Sequence, residues 1–355
     1  MKNSYIKKTQ VSSLRALLIQ PFRTALGEHK TLENILFTIE LVDGTKGFGE
    51  AAIATHITGE TLEETFSNLE AIGRMLEGRD ASDYLKISGR LHDRFMKNNA
   101  AVAAVECALL DALTRQWKIP LWKFFGSRPR RLVSDITIVI ADLQETEESV
   151  KKFYRQGFRA FKVKIGRDEE SDFQRVLAVK KHAPRCKIYL DANQGYSADQ
   201  TLNFLKRLKR QGIKPALLEQ PVPKADWEGL KRVARLTKVP ICADESVSSL
   251  TDAVRVVKEN AVPVINIKLM KFGLIHAREI AILAQANGIK LMIGGMMETS
   301  LAMTTAAHMA AGLGGFSYID LDTPFFIQDA RKNPYLNSKG IYELRKVKAG
   351  VGITL

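Results

Sequence analysis

The chain has 355 residues, 45% hydrophobic and 26% charged, which fits a folded globular protein and excludes a disordered or low-complexity chain. A formal net charge of +14 could attract anions, but no zinc finger, RNP signature or basic heptad region accompanies it, so no nucleic-acid partner is expected. Cys107, Cys186 and Cys242 are far apart and lack metal-ligand spacing, which excludes a disulfide framework and fits a reducing compartment.

The N-terminal stretch mixes lysines, arginines and polar residues and has no continuous apolar core of a secretory signal. No run of 18 apolar residues follows, so a cytoplasmic protein without a membrane span is expected. "SSLRALLIQP" (12–21) and "NILFTIELVDGTKGFGEA" (34–51) read as antiparallel strands with a hairpin at "VDGTKG". Helices are predicted near 60–77, 81–97 and 99–117. Residues 1–125 therefore form an α+β unit, and the strand-like tail "GIYELRKVKAGVGITL" (340–355) is expected to return to it.

From residue 135 the pattern changes. "DITIVIA" (135–141), "FKVKIG" (161–166), "KIYLDAN" (187–193), "ALLEQP" (216–221), "PICADES" (240–246), "VINIKLM" (264–270), "KLMIGGMME" (290–298) and "FSYIDLD" (316–322) read as strands. Helical segments such as "ADQTLNFLKRLKRQG" and "LIHAREIAILAQANG" separate them, several ending in Gly or Asn. Strict alternation means a parallel sheet, and eight such units over 126–339 fit a closed β/α barrel better than an open doubly wound sheet.

Barrel active sites lie at the carboxyl ends of the strands, where this chain places Lys162, Lys164, Asp191, Glu219, Asp244 and Lys268. From Lys164 onward these recur every 24 to 28 residues, one per β/α unit. A single strand-end acid is usually a helix cap or solvated; three at matched register converge and repel. A hard divalent cation held by Asp191, Glu219 and Asp244 relieves that repulsion, and one Mg²⁺ per subunit is expected. Lys162 and Lys164 share a strand face, so proximity and burial should lower their pKa toward the range of a general base. Lys268 approaches from the opposite side. Two bases across a metal can move a proton between the faces of a carbon alpha to a carboxylate, through an enediolate.

These residues, with "LDANQG", "EQPV", "ADES" and "NIKLMK" in order and spacing, resemble the muconate-lactonizing-enzyme subgroup of the enolase superfamily over essentially the whole chain. The resemblance implies an α/β fold: a TIM-like (β/α)₇β barrel with an N-terminal α+β capping domain completed by the C-terminal segment. "YIDLDTP" matches the D-x-D of dipeptide epimerases, implying that Asp320 and Asp322 hold a substrate α-ammonium, which two carboxylates on one face suit. The expected activity is dipeptide epimerisation on an L-Ala-X substrate by a homo-oligomeric isomerase. N-acylamino acid racemase, o-succinylbenzoate synthase and muconate cycloisomerase are the alternatives, and a non-catalytic binding barrel a remote one. "PFRTALG" (21–27) and "HITGET" (56–61) resemble capping loops over the distal side chain. Arg23, Thr24, Met296 and Glu298 complete the substrate-binding candidates. Relatives acting on Ala-Glu place an arginine just after "TAL", where this chain has Gly27; Arg23, His29 and Lys30 are the nearby cations.

Overall fold

The computed structural model describes residues 4–126, 129–328 and 333–353. Strands β1 (Ile6–Thr24), β2 (Gly27–Leu41) and β3 (Lys46–Ala51) form an antiparallel meander. The β2–β3 turn sits at the expected hairpin, with Gly44 at φ 84°, a left-handed conformation that glycine adopts without steric cost. The β1–β2 turn falls at 25–26, inside "PFRTALG", so that segment is a hairpin tip. β1 loses register between Leu17 and Phe22, around Pro21, which has no N–H to give a ladder. There Ile19 N–H donates to the Phe326 carbonyl and Gln328 N–H to the Leu17 carbonyl, at 2.8 Å each, pinning the hairpin to the segment that follows the last barrel strand.

Helices Leu62–Leu76, Tyr84–Arg94 and Asn99–Gln116 complete the capping unit, a few residues shorter than the sequence predicts. The last is alanine-rich and buried nearly all round. Gly47 and Gly49 let β3 meet it closely, since a Cβ at Gly49 would overlap the Ala104 carbonyl.

A short strand β4 (Leu132–Val133) precedes β5 (Ile136–Ile138), β6 (Ala160–Lys164), β7 (Lys187–Asp191), β8 (Leu217–Glu219), β9 (Ile241–Ala243), β10 (Val264–Lys268), β11 (Lys290–Gly294) and β12 (Phe316–Ile319). The eight from β5 to β12 pair in parallel and in chain order, with a helix between each consecutive pair. Asp135 N–H donates to the Ile319 carbonyl (2.9 Å) and Leu321 N–H to Ser134 Oγ (2.8 Å), bringing β12 back against β5 and closing the barrel. Side-chain N-caps at Asp142, Asp168, Ser197, Asp226 and Ser249 start five of the helices. The strands are shorter than the predicted runs because those runs also contain the loops that follow each strand.

The tail does return to the capping unit, but mostly as turns. Among its described residues only β13 (Ile341–Tyr342) is strand, and it pairs with β4. Gly340, Gly350 and Gly352 take positive φ, which breaks an extended run. Gly350 exchanges hydrogen bonds with Ile119 and Leu121, and Val351 N–H donates to Asp111 Oδ1 (2.7 Å). Residues 354–355 of the predicted return lie outside the described residues. His308 accepts the Trp122 N–H on Nδ1 (2.9 Å) and donates through Nε2 to the Val351 carbonyl (3.1 Å). Among the described residues no helix is long and apolar enough to cross a membrane.

Candidate active site

The barrel interior changes from apolar to charged within two residues. Tyr189, Leu217, Cys242, Val264, Met292 and Tyr318 pack together inside it. Side chains alternate along a strand, so the next inward positions are Asp191, Glu219, Asp244, Asn266, Gly294 and Asp320. In the ladder Lys164 pairs with Asp191 and Asp191 with Glu219, which makes these side chains lateral neighbours. One pocket above this layer is lined by Lys162, Lys164 and Lys268 together with Asn193, Met296, Asp320 and Asp322. Strands β6 and β10 stand four apart in a ring of eight, so Lys164 and Lys268 enter it from opposite sides.

Each acid of the central trio has one oxygen held by a neighbour and one left for the centre. Asp191 Oδ1 accepts from Asn193 N–H (3.0 Å), Glu219 Oε1 from Asn266 Nδ2 (2.8 Å) and Asp244 Oδ1 from Lys271 Nζ (2.7 Å). Of the other oxygens, Asp191 Oδ2 takes Lys164 Nζ (2.6 Å), whereas Glu219 Oε2 and Asp244 Oδ2 are buried without any directed hydrogen bond. Ammonium groups lie close to both without that alignment: Lys162 Nζ is 2.8 Å from Glu219 and Lys268 Nζ 2.7 Å from Asp244. Three buried carboxylates each turn one hard oxygen toward the centre, where lysine ammonium groups meet all three; such oxygens are the donor type a divalent cation takes, while among the described residues the acids whose oxygens all lie within 4.8 Å of one another are Asp135, Asp320 and Asp322. Gln220, at φ 33°, fastens two of these strand ends together, its Oε1 accepting from the N–H groups of Asp244 and Ser246.

Lys162 Nζ reaches Asp191 (3.0 Å), Glu219 (2.8 Å) and Asp320 (2.7 Å) at once. The expected lowering of lysine pKa is not met there. Burial does disfavour the charged form, but the surrounding carboxylates outweigh it and hold Lys162 and Lys268 above the usual lysine range. The acids respond unequally. Burial pushes each of them up; the adjacent lysines reverse this for Asp191, held down to about 2, and for Asp244. Glu219 stays raised, to about 8, because the Asp191 charge adds to burial.

Asp320 and Asp322 both line the pocket, and Asp135 joins them, with carboxylate oxygens of all three within 4.8 Å of one another. Asp322 Oδ2 accepts from Thr137 N–H (2.6 Å), while both oxygens of Asp135 are buried without a partner. Burial and the two neighbouring charges raise the Asp135 pKa well above the carboxylate range. Asp135 opens its strand run, so an inspection of strand ends passes over it; the alternation Asp135, Thr137 was the available signal. Lys271 and Asn266 were missed for another reason: their role lies in the acid each one holds.

Other candidates divide by strand face. Phe22 and Thr24 line the pocket, and Arg23 between them points the opposite way, where it pairs with Glu28 (2.7 Å). Arg23 is therefore corrected from a pocket residue to a surface ion pair, and Lys30 also turns to Glu28. Met296 lines the pocket, with Sδ 3.9 Å from Lys268 Nζ. Glu298 is turned back, its Oε2 accepting the Met296 N–H (2.7 Å); it closes its own loop and is not among the residues lining the pocket. The capping side of the pocket is Phe22, Ile53, Ala54 and Ile57, with the rings of His29 and His56 4.9 Å apart. Burial lowers the His29 pKa, which favours a neutral ring. The remaining cations of the pocket, all lysines, come from the barrel strands.

Residues 7–126 match the mandelate racemase / muconate lactonizing enzyme N-terminal domain, and residues 145–355 match the enolase C-terminal domain-like family. A hydrophobic dipeptide epimerase of Citrifermentans bemidjiense is 46% identical, over 98% of this chain and 97% of that one. An L-Ala-D/L-Glu epimerase of Bacillus subtilis is 32% identical over 98% of this chain and 96% of its own. Among solved structures, a dipeptide epimerase from Enterococcus faecalis complexed with Mg and the dipeptide L-Leu-L-Tyr superposes with a TM-score of 0.94 at 32% identity, covering 99% of this chain and 100% of that one.

Proposed function

Since the chain belongs to the mandelate racemase / muconate lactonizing enzyme family, we propose that it is a magnesium-dependent dipeptide epimerase, inverting the α-carbon of the C-terminal residue of an L-Ala-X dipeptide in which X is apolar. The observation that carries this is the pair Lys164 and Lys268, facing one pocket from opposite sides with Asp320 and Asp322 on its rim.

In this reading Lys164 and Lys268 exchange the α-proton on opposite faces, one taking it as the other gives one back. The centre-facing oxygens of Asp191, Glu219 and Asp244 would hold Mg²⁺, which as a Lewis acid supplies stabilisation for charge developing on the substrate carboxylate. Lys162 adds a fixed positive charge beside that carboxylate. Asp320 and Asp322 grip the α-ammonium, with Asp135 beneath them. An N-acylated amino acid has no such cation, and two buried carboxylates would repel its acidic relatives, which disfavours the racemase and succinylbenzoate readings. Phe22, Ile53, Ile57 and Met297 offer an apolar surface to the side chain of X, and among the described residues the lysines lining the pocket come from the barrel strands rather than from this capping face. We assign residues 1–125, with the return from about 340, to the capping domain and 126–339 to the catalytic barrel. Homo-oligomeric assembly and a cytoplasmic location remain our expectations from sequence, to be checked by light scattering and cell fractionation.

The test is incubation with Mg²⁺ in D₂O and a pool of dipeptides, read by mass spectrometry and NMR. Deuterium at the C-terminal α-carbon of L-Ala-L-Leu or L-Ala-L-Phe is the expected result. Exchange confined to N-acyl amino acids would overturn the assignment.

A further inference from the structure

Lys271 lies outside the pocket, is only 5% exposed, and has no place in the proton transfer. Its ammonium is nevertheless saturated with short contacts: Asp244 Oδ1 at 2.7 Å, the Asp244 carbonyl at 2.7 Å and the Val247 carbonyl at 3.0 Å. An ammonium has three N–H bonds, so these acceptors satisfy it and fix its position. The residue sits in the one helical turn that follows β10, before Gly273 at φ 71° breaks the helix and starts it again.

We infer that Lys271 is a positioning residue that fixes Asp244 as a one-oxygen metal ligand and leaves Lys268 available to the substrate. Asp244 stands between two ammonium groups, Lys271 on Oδ1 and Lys268 on Oδ2, both at 2.7 Å. One buried carboxylate needs one countercharge. Lys271 supplies it from a site the substrate never reaches, so Lys268 can leave Asp244 without abandoning an uncompensated buried charge. Asp191 and Glu219 receive the equivalent service from neutral donors, Asn193 N–H and Asn266 Nδ2, and neither donor contributes a charge. The Lys271 bond also settles which Asp244 oxygen faces the centre. With Oδ1 and the backbone carbonyl tied to one nitrogen, the carboxylate cannot rotate to offer both oxygens to an ion.

The inference rests on Asp244 being a metal ligand, so the experiment carries Asp244→Asn alongside Lys271→Met and Lys271→Arg. Mg²⁺ binding to each purified enzyme is measured by calorimetry, and Tm is recorded with and without Mg²⁺. Outer partners of metal ligands typically govern affinity by about 10- to 100-fold, so Lys271→Met should weaken Mg²⁺ binding by that factor and shrink the Mg²⁺-induced rise in Tm. Lys271→Arg keeps the charge but cannot place one nitrogen on all three acceptors, and should fall between. A purely structural lysine would lower Tm equally with and without Mg²⁺ and leave the affinity alone. Mg²⁺ affinity within about twofold of wild type in the Lys271 variants that fold overturns the proposal, and Lys271→Arg decides the matter if Lys271→Met does not fold. If Asp244→Asn abolishes binding while the Lys271 variants keep it, only the role of Lys271 fails. If Asp244→Asn binds normally, the ligand assignment fails and this inference falls with it.

Discussion

Lys164 and Lys268 project into one pocket from strands half a barrel apart, each beside a different buried acid: Asp191 at 2.6 Å and Asp244 at 2.7 Å. The two amines can therefore address opposite faces of a bound α-carbon without competing for one counterion.

Replacing either amine should separate exchange from inversion. Lys164→Ala and Lys268→Ala are each expected to lower epimerisation by about 10²- to 10⁴-fold, the usual contribution of a general acid or base. Each variant should still wash deuterium into one epimer, the one whose α-proton faces the surviving lysine. NMR of separate L-Ala-L-X and L-Ala-D-X incubations in D₂O checks this; full epimerisation in both variants would remove the two-base assignment.

Asp320→Asn should affect the substrate more than the metal. Removing one side of a buried charge pair costs about 2 to 5 kcal/mol, roughly 30-fold or more in kcat/KM for the dipeptide. Mg²⁺ affinity, measured by calorimetry, should change far less. Equal losses in both would place Asp320 among the metal ligands.

Side-chain preference follows from the capping wall. L-Ala-L-Phe and L-Ala-L-Leu are expected to exceed L-Ala-L-Glu in kcat/KM by at least about tenfold, since burying a carboxylate against apolar groups without a partner is costly. Thr24→Arg, which places a cation beside Phe22, should narrow or invert that ratio. A wild-type preference for the glutamyl substrate in competition assays would contradict the apolar reading.

Chelation has a simple signature. EDTA treatment should abolish turnover, and added Mg²⁺ should restore it and raise Tm, as any ligand selective for the folded state does. Undiminished exchange after exhaustive chelation would exclude the metal.

His308 sets an acid-side limit on stability. Burial pushes its pKa down to about 3, against about 6.5 in an unfolded chain. The unfolded state thus binds the extra proton first as pH falls, so this stabilisation is complete above pH 6.5 and is lost progressively down to about pH 3. From pH 7 to pH 5 the loss is about 2 kcal/mol. Thermal melts should show this increment in wild type and not in His308→Gln; parallel pH curves for the two would refute it.

Much of the site could be read along the chain because its logic is local. Strand alternation and one acid per β/α unit determined that Asp191, Glu219 and Asp244 share a layer and that Lys164 and Lys268 flank it. The same period of two, applied at the hairpin tip, would have sent Arg23 outward once Phe22 and Thr24 were known to face in.

Tertiary structure alone decided the remainder, because it depends on partners distant in sequence. Asp135 reaches Asp320 and Asp322 only when β12 closes against β5. Glu298 turns away from the pocket to satisfy an N–H of its own loop. Which oxygen of each acid faces the centre is set by Asn193, Asn266 and Lys271, since a buried carboxylate takes whatever donors surround it. The sequence determined which charges would meet; the packing around them determined which of their atoms are free to act.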